Sequence, residues 1–210
     1  TRETVWRCSD FEEEAVGASY YCQSNTLFWH EETDTFLYSF YTSNTVVHID
    51  HATGRSLNWW GEISDWDFDP ASSHFTWQHG PHFLDNGNLL LLDNRGHFGR
   101  SKVIEFDPLT REIVWAYRHS DATPFWTETC GSNARLDNGN TLITESDTGR
   151  AFEVVPDGRI VWEYLTPRRA GPNDEFIAQA EPDRPLRPHL ARLFAERKAL
   201  LAAILTSLVI

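Results

Sequence analysis

Asp85-Asn86-Gly87-Asn88-Leu89-Leu90-Leu91-Leu92 and Asp137-Asn138-Gly139-Asn140-Thr141-Leu142-Ile143-Thr144 are two copies of one pattern: an Asn-Gly-Asn turn running into a short apolar strand. Each is followed by a second β-rich run, Val103-Ile104-Glu105-Phe106-Asp107-Pro108 in one case and Arg150-Ala151-Phe152-Glu153-Val154-Val155-Pro156 in the other. A third run closes each unit, Glu112-Ile113-Val114-Trp115-Ala116-Tyr117 and Arg159-Ile160-Val161-Trp162-Glu163-Tyr164. A weaker copy stands upstream, with Asp34 to Ser39, Thr45 to Asp50 and Arg55 to Trp60 in the same order. Trp60 and Trp115 lie 55 residues apart and Trp115 and Trp162 lie 47 apart, the spacing of propeller blades with loop insertions.

Asn-Gly supplies the positive φ of tight hairpins, so each unit reads as an antiparallel meander. The expected fold is therefore all-β: a β-propeller of four-stranded blades, three to four of them in this chain, over residues 1–178. Propellers close with four to eight blades, which implies further blades upstream. Beyond the turn-rich stretch 166–178, Leu186, Leu190, Leu193, Phe194, Leu200, Leu201, Ile204 and Leu205 fall at helical spacing, so residues 179–210 are expected to form an α-helical tail. Its last apolar run, 199–210, is too short to cross a bilayer, which takes about 20 residues.

The 210 residues are ordinary in globular composition, with 40% apolar and 23% charged. Lys and Arg number 18 against 31 Asp and Glu, a formal charge of −13, and such a surface repels phosphate backbones and anionic lipid. No nucleic-acid partner is expected. Cys8, Cys22 and Cys130 lack CxxC spacing, which excludes a cysteine-rich zinc module. No glycine-rich loop joins a strand to a helix, so nucleotide binding has no support. The chain opens on Thr1 and contains no methionine, the marks of a fragment or a processed chain.

Five of the nine histidines lie between residues 48 and 82, most densely in His74-Phe75-Thr76-Trp77-Gln78-His79-Gly80-Pro81-His82. Pro81 excludes a helix interior, so the segment is extended and His79 and His82, three residues apart, are expected on opposite sides of the strand. That weakens a shared metal, and no metal site is expected. A neutral imidazole can accept and return a proton near pH 7, which makes His79 an acid, base or nucleophile; the alternative for both rings is structural hydrogen bonding. The loop Asp93-Asn94-Arg95-Gly96-His97-Phe98-Gly99-Arg100 carries arginines suited to gripping a tetrahedral anion, or merely exposed. Glu145 faces the site or pairs with Arg150. The Asn-Gly-Asn segments are read as turn chemistry, and Trp115, Tyr117, Trp162 and Tyr164 as packing between blades.

These residues resemble the arylsulfotransferase family of six-bladed propellers. The resemblance rests on Gln78-His79 after an aromatic run, on Leu92-Asp93-Asn94 with glycine and arginine beyond, on Ser101-Lys102-Val103-Ile104-Glu105-Phe106, and on Phe125-Trp126 leading to Gly139-Asn140-Thr141-Leu142. It spans roughly residues 20–178. It implies transfer of a sulfuryl group from an aryl sulfate to a phenol through a transiently sulfated histidine, with no nucleotide or other cofactor, in the periplasm or outside the cell. By position His79 resembles the channel histidine and Arg100, or Arg95, the anion-holding arginine. His82 completes the expected catalytic set, and Asn25, Asn94, Arg95, His97 and Glu145 the expected substrate contacts. The chain departs from the family twice: Cys22-Gln23-Ser24-Asn25 keeps the asparagine without the histidine expected before it, and Thr144 to Arg150 has no histidine where the nucleophile is expected. The other reading is therefore a propeller that binds an anionic aromatic ligand or a protein partner without turnover; metal-assisted hydrolysis is a third.

Overall fold

The computed structural model describes residues 24–61, 75–94 and 100–166. Within them twelve strands form three four-stranded sheets, each an antiparallel meander with its strands in sequence order. The first sheet holds β1 (Ser24–His30), β2 (Thr35–Phe40), β3 (Thr45–Asp50) and β4 (Ser56–Gly61), and the second holds β5 (His79–Phe83), β6 (Leu89–Asp93), β7 (Lys102–Phe106) and β8 (Ile113–Arg118). The third holds β9 (Ser132–Arg135), β10 (Thr141–Glu145), β11 (Arg150–Val154) and β12 (Ile160–Leu165). These are propeller blades, and the all-β reading stands. The first two sheets belong to one compact unit, Thr1–Glu128, and the third to another, Thr129–Ile210. The helix expected over 179–210 lies outside the described residues, and none of the described residues forms a helix long and apolar enough to cross a membrane.

Each blade begins one strand earlier than the sequence repeat. β5 precedes the Asn-Gly-Asn turn, as β9 does in the third blade. The middle strands are buried on both faces, which is why β6 and β10 read as unbroken apolar runs. In the first unit Leu37, Val46 and Trp60 meet Phe75, Leu89, Leu91, Ile104 and Phe106 in one core between the two sheets. Trp60 adds a polar tie there, its Nε1 donating to Pro108 O at 3.0 Å. A β-bulge in the fourth strand of every blade sets the structural alignment: Leu57, Val114 and Val161 are the extra residues, opposite the steps from His48, Glu105 and Glu153 to the next third-strand residue. Asn58, Trp115 and Trp162 are therefore equivalent, and Trp60 corresponds to Tyr117 and Tyr164. The tryptophan spacing gave the right period from residues that are two positions out of step in the first blade.

The same alignment assigns the Asn-Gly-Asn turns a second role. Asn86 and Asn88 both donate to the buried Glu105 carboxylate, at 3.1 and 2.8 Å, and Asn138 and Asn140 to the buried Glu153, at 3.3 and 2.6 Å. The glycine between them takes φ of +83° and +82°, which swings both amides to one side. Amide donors satisfy a carboxylate that burial alone would penalise heavily. In the first blade Thr33, Asp34 (φ +51°) and Thr35 occupy the turn, and His48 replaces the glutamate. Thr35 Oγ1 lies 2.8 Å from His48 Nε2 and 2.8 Å from Thr33 Oγ1, which is itself 2.6 Å from His30 Nδ1.

His48 is half-buried, facing Trp60 and Phe83. Burial, and then the charge of His30, pull its imidazole below the ordinary histidine value, with Asp50 opposing. A histidine depressed on folding binds fewer protons in the native state than in the unfolded one as pH falls below about 6.5. Stability should therefore fall on acidification through that window. Thermal unfolding followed from pH 7.5 to 5 is expected to show a declining midpoint, with a shallower decline in His48→Gln, which keeps a polar partner for Thr35 and cannot titrate.

Candidate functional site

The segment just before β5 is anchored by buried polar groups. Gln78 is fully buried, and its Nε2 lies 3.0 Å from each of Ser39 Oγ, Phe40 O and Thr45 O on the first sheet. The two carbonyls are obligate acceptors, so the orientation of the amide is fixed; its Oε1 is buried with no hydrogen-bond partner among the described residues. Asn25 Nδ2 donates to Gln78 O at 2.6 Å and Gly80 N to Thr26 Oγ1 at 3.2 Å, so β1 holds β5 on either side of His79.

Trp77 sits at φ +55°, where a bulky residue pays of the order of 1–3 kcal/mol. The surroundings impose it: Trp77 N donates to Asn44 Oδ1 at 2.9 Å, and Trp77 O accepts from His79 Nδ1 at 3.1 Å. Asn44 is itself at φ +49°, beneath Gly61, where a Cβ would fall 1.9 Å from Asn44 O. Gly61 thus lets the chain close around Asn44, and Asn44 shapes Trp77.

His79 is buried in this frame. Its Nδ1 has a second partner, Asn94 Oδ1 at 2.7 Å, and Asn94 Nδ2 donates to Thr127 O at 3.2 Å. A carbonyl at each end of this chain of hydrogen bonds leaves one arrangement. Thr127 O must accept from Asn94 nitrogen, so the Asn94 oxygen faces the ring, and Trp77 O likewise requires a donor. His79 is therefore protonated on Nδ1, and its neutral form carries its lone pair on Nε2. Ser101 supports Asn94 from behind, its hydroxyl 2.7 Å from Asn94 O and 2.9 Å from Thr127 N. Tyr41 stands edge-on to the His79 ring, centroids 5.6 Å apart, and packs against Trp77 at 5.1 Å.

One expectation is overturned. His79 pairs with Leu92 and His82 with Leu90, two positions apart on β6, because a bulge at Gly80 (φ +58°) and Pro81 absorbs one residue. The two histidines therefore share a face of the strand instead of alternating across it. His82 Nδ1 donates to Gly80 O at 3.0 Å, the ring near Phe28, which also leaves the neutral lone pair on Nε2.

The other expected residues are dispersed. Asn25 and Asn94 lie beside His79, but Asn94 is fully buried and its amide is committed to the histidine. Arg100 is exposed and makes no hydrogen bond or ion pair among the described residues. Arg95 and His97 lie outside the described residues. Glu145, in the second unit, is buried and paired with Arg150 at 3.0 Å, and Arg150 also binds Glu163 and stacks on Phe152. At the start of β7, Lys102 is ion-paired with Asp93 at 3.3 Å; burial pushes its ammonium below the ordinary lysine value and Asp93 opposes that shift. Among the described residues no three His, Cys, Asp or Glu side chains converge as metal ligands would. Sequence reading missed Tyr41, Trp77 and Thr127: Tyr41 comes from the neighbouring blade, and nothing in its local spacing marks it.

The chain matches the family described as arylsulfotransferase (ASST) over residues 18–166. No curated protein matches it. Among solved structures it is similar to a protein of unknown function from Bacteroides caccae, at 18% identity and TM-score 0.44 over 68% of this chain and 45% of that one. It is similar to a virginiamycin B lyase from Staphylococcus aureus at 14% and 0.44, over 71% and 43%, and to BamB from Moraxella catarrhalis at 16% and 0.42, over 68% and 37%. It spans less than half the length of each.

Replacing Gln78 with Leu keeps the volume and strands two carbonyls. An unfolding free energy lower by about 2–4 kcal/mol is expected in chemical denaturation.

Proposed function

The chain belongs to the arylsulfotransferase family, and from that premise we propose that it transfers a sulfuryl group from an aryl sulfate to a phenol, with His79 as the group that moves the proton. One observation carries the reading: the His79 tautomer is held by Asn94 and Trp77 O, which presents Nε2 as the base. The absence of a histidine between Thr144 and Arg150 favours direct transfer over a sulfated intermediate.

In that step the acceptor hydroxyl gives its proton to Nε2. The acceptor oxygen forms a bond to sulfur as the bond between sulfur and the donor's aryl oxygen breaks, and the electron pair leaves on the donor phenolate. The imidazolium then returns the proton to that phenolate, which restores the neutral ring. Charge grows on the leaving oxygen and the sulfuryl oxygens, so a cation is needed beside them, a role we assign to Arg100 with Arg95 as its alternative. His82, on the same strand face, is a second donor or acceptor. Asn94 acts through His79 as a positioning residue and touches no substrate. Donor and acceptor are small aromatic compounds, and the periplasm or the cell exterior is the compartment this reading assigns.

The second reading, an aryl-sulfate-binding propeller without turnover, is favoured by the exposure of Arg100 and by the commitment of Glu145 to Arg150. The two part on one assay, release of 4-nitrophenol from 4-nitrophenyl sulfate in the presence of phenol. Turnover that drops about a hundredfold or more in His79→Ala supports transfer. Asn94→Ala is expected to lose roughly tenfold or more in kcat, and Asn94→Asp, which still accepts from Nδ1, to recover most of it. Saturable binding with no turnover by the unaltered protein selects the second reading.

A further inference from the structure

The geometry points to Trp77, with Tyr41, as the wall that selects an aromatic substrate at His79. Backbone geometry is the first ground. A glycine at position 77 would adopt φ +55° freely, yet a tryptophan is held there by Asn44 on its N–H and His79 on its carbonyl. Gly61 under Asn44, Asn44 on the Trp77 N–H and His79 on the Trp77 carbonyl all converge on the residue that bears the indole. What the strain secures is the position of that ring.

Ring geometry is the second ground. Tyr41 meets Trp77 at 5.1 Å and 43° and meets His79 at 5.6 Å and 69°, so the phenol and indole rings form an angled corner at the imidazole. Both are half-buried. Offset and edge-to-face contacts of this kind favour another π system over a saturated ring of equal size. An aryl group that brings its oxygen to Nε2 of His79 meets this corner, and an alkyl group gains less there. The inference rests on the reading of His79 as the reacting base and adds which residues discriminate.

Phenol and cyclohexanol, nearly equal in size, are the probes, titrated calorimetrically into the full chain. The unaltered protein is expected to bind phenol about three- to tenfold more tightly. Trp77→Gly, which keeps the backbone conformation, and Tyr41→Leu, which keeps most of the volume, are each expected to erase that preference, with circular dichroism verifying the fold. Equal affinity of the unaltered protein for both probes, no binding of either, or an undiminished preference in both wall variants overturns the inference. A preference lost in the wall variants, in a protein that shows no sulfuryl transfer, upholds the wall and removes the catalytic reading instead.

Discussion

The carboxamide of Gln78 is the interaction on which the first unit depends. Two protons on one nitrogen serve oxygens from the end of β2 and the start of β3, deep between two sheets where water cannot replace them. Apolar packing brings these sheets together, since Leu37, Val46 and Trp60 and the residues opposite would bury against many surfaces. Hydrocarbon contact is not directional, however, and does not set register. The amide does, and the residues on either side of it, Trp77 and His79, inherit their places. Asn25 and Thr26 bind the backbone of the same segment, so the strand that carries the histidines is fixed by polar groups of its neighbour.

The same economy recurs further out along each blade. A turn with a positive φ at its centre presents polar side chains to the third-strand residue beside the bulge, two amides to a glutamate in the second and third blades and the Thr35 hydroxyl to His48 in the first. The chemistry differs while the geometry persists, because the turn determines where the two side chains point. The first blade exchanges the carboxylate for an imidazole that burial holds below the ordinary histidine value, and so gains a stability that falls in mild acid. Asn44 and Trp77, both at positive φ, adjoin His79, the one histidine buried among the described residues, whose ring position the surrounding bonds over-determine.

Much of the fold was legible in the sequence because the second and third strands of the second and third blades are buried on both faces and the turns demand glycine or its substitutes. The first strands, β1, β5 and β9, share no such pattern: their residues serve neighbours and the site, so Ser24–His30, His79–Phe83 and Ser132–Arg135 look unlike one another. His79 was singled out from its residue type and company. Its relation to His82 was misjudged, because strict alternation along a strand fails at a bulge, and Gly80-Pro81 makes one. Asn94 was singled out by its place in the arginine-bearing loop; its position behind the imidazole was not legible, since that depends on Thr127 and Ser101, seven and more residues away in sequence. Tyr41 was invisible for a similar reason: it reaches the site only after one blade packs on another.

The central claim is a protonation state. Nitrogen-15 NMR of the histidine side chains of the folded protein near pH 7.5, with His79 assigned by comparison with His79→Ala, measures it directly. The account requires a protonated Nδ1 and an unprotonated Nε2 on His79, with the pattern shifting toward the other tautomer in Asn94→Ala. A proton on Nε2 with a bare Nδ1 in the unaltered protein would contradict it, because neither Trp77 O nor the Asn94 oxygen could then accept the bond that holds the ring.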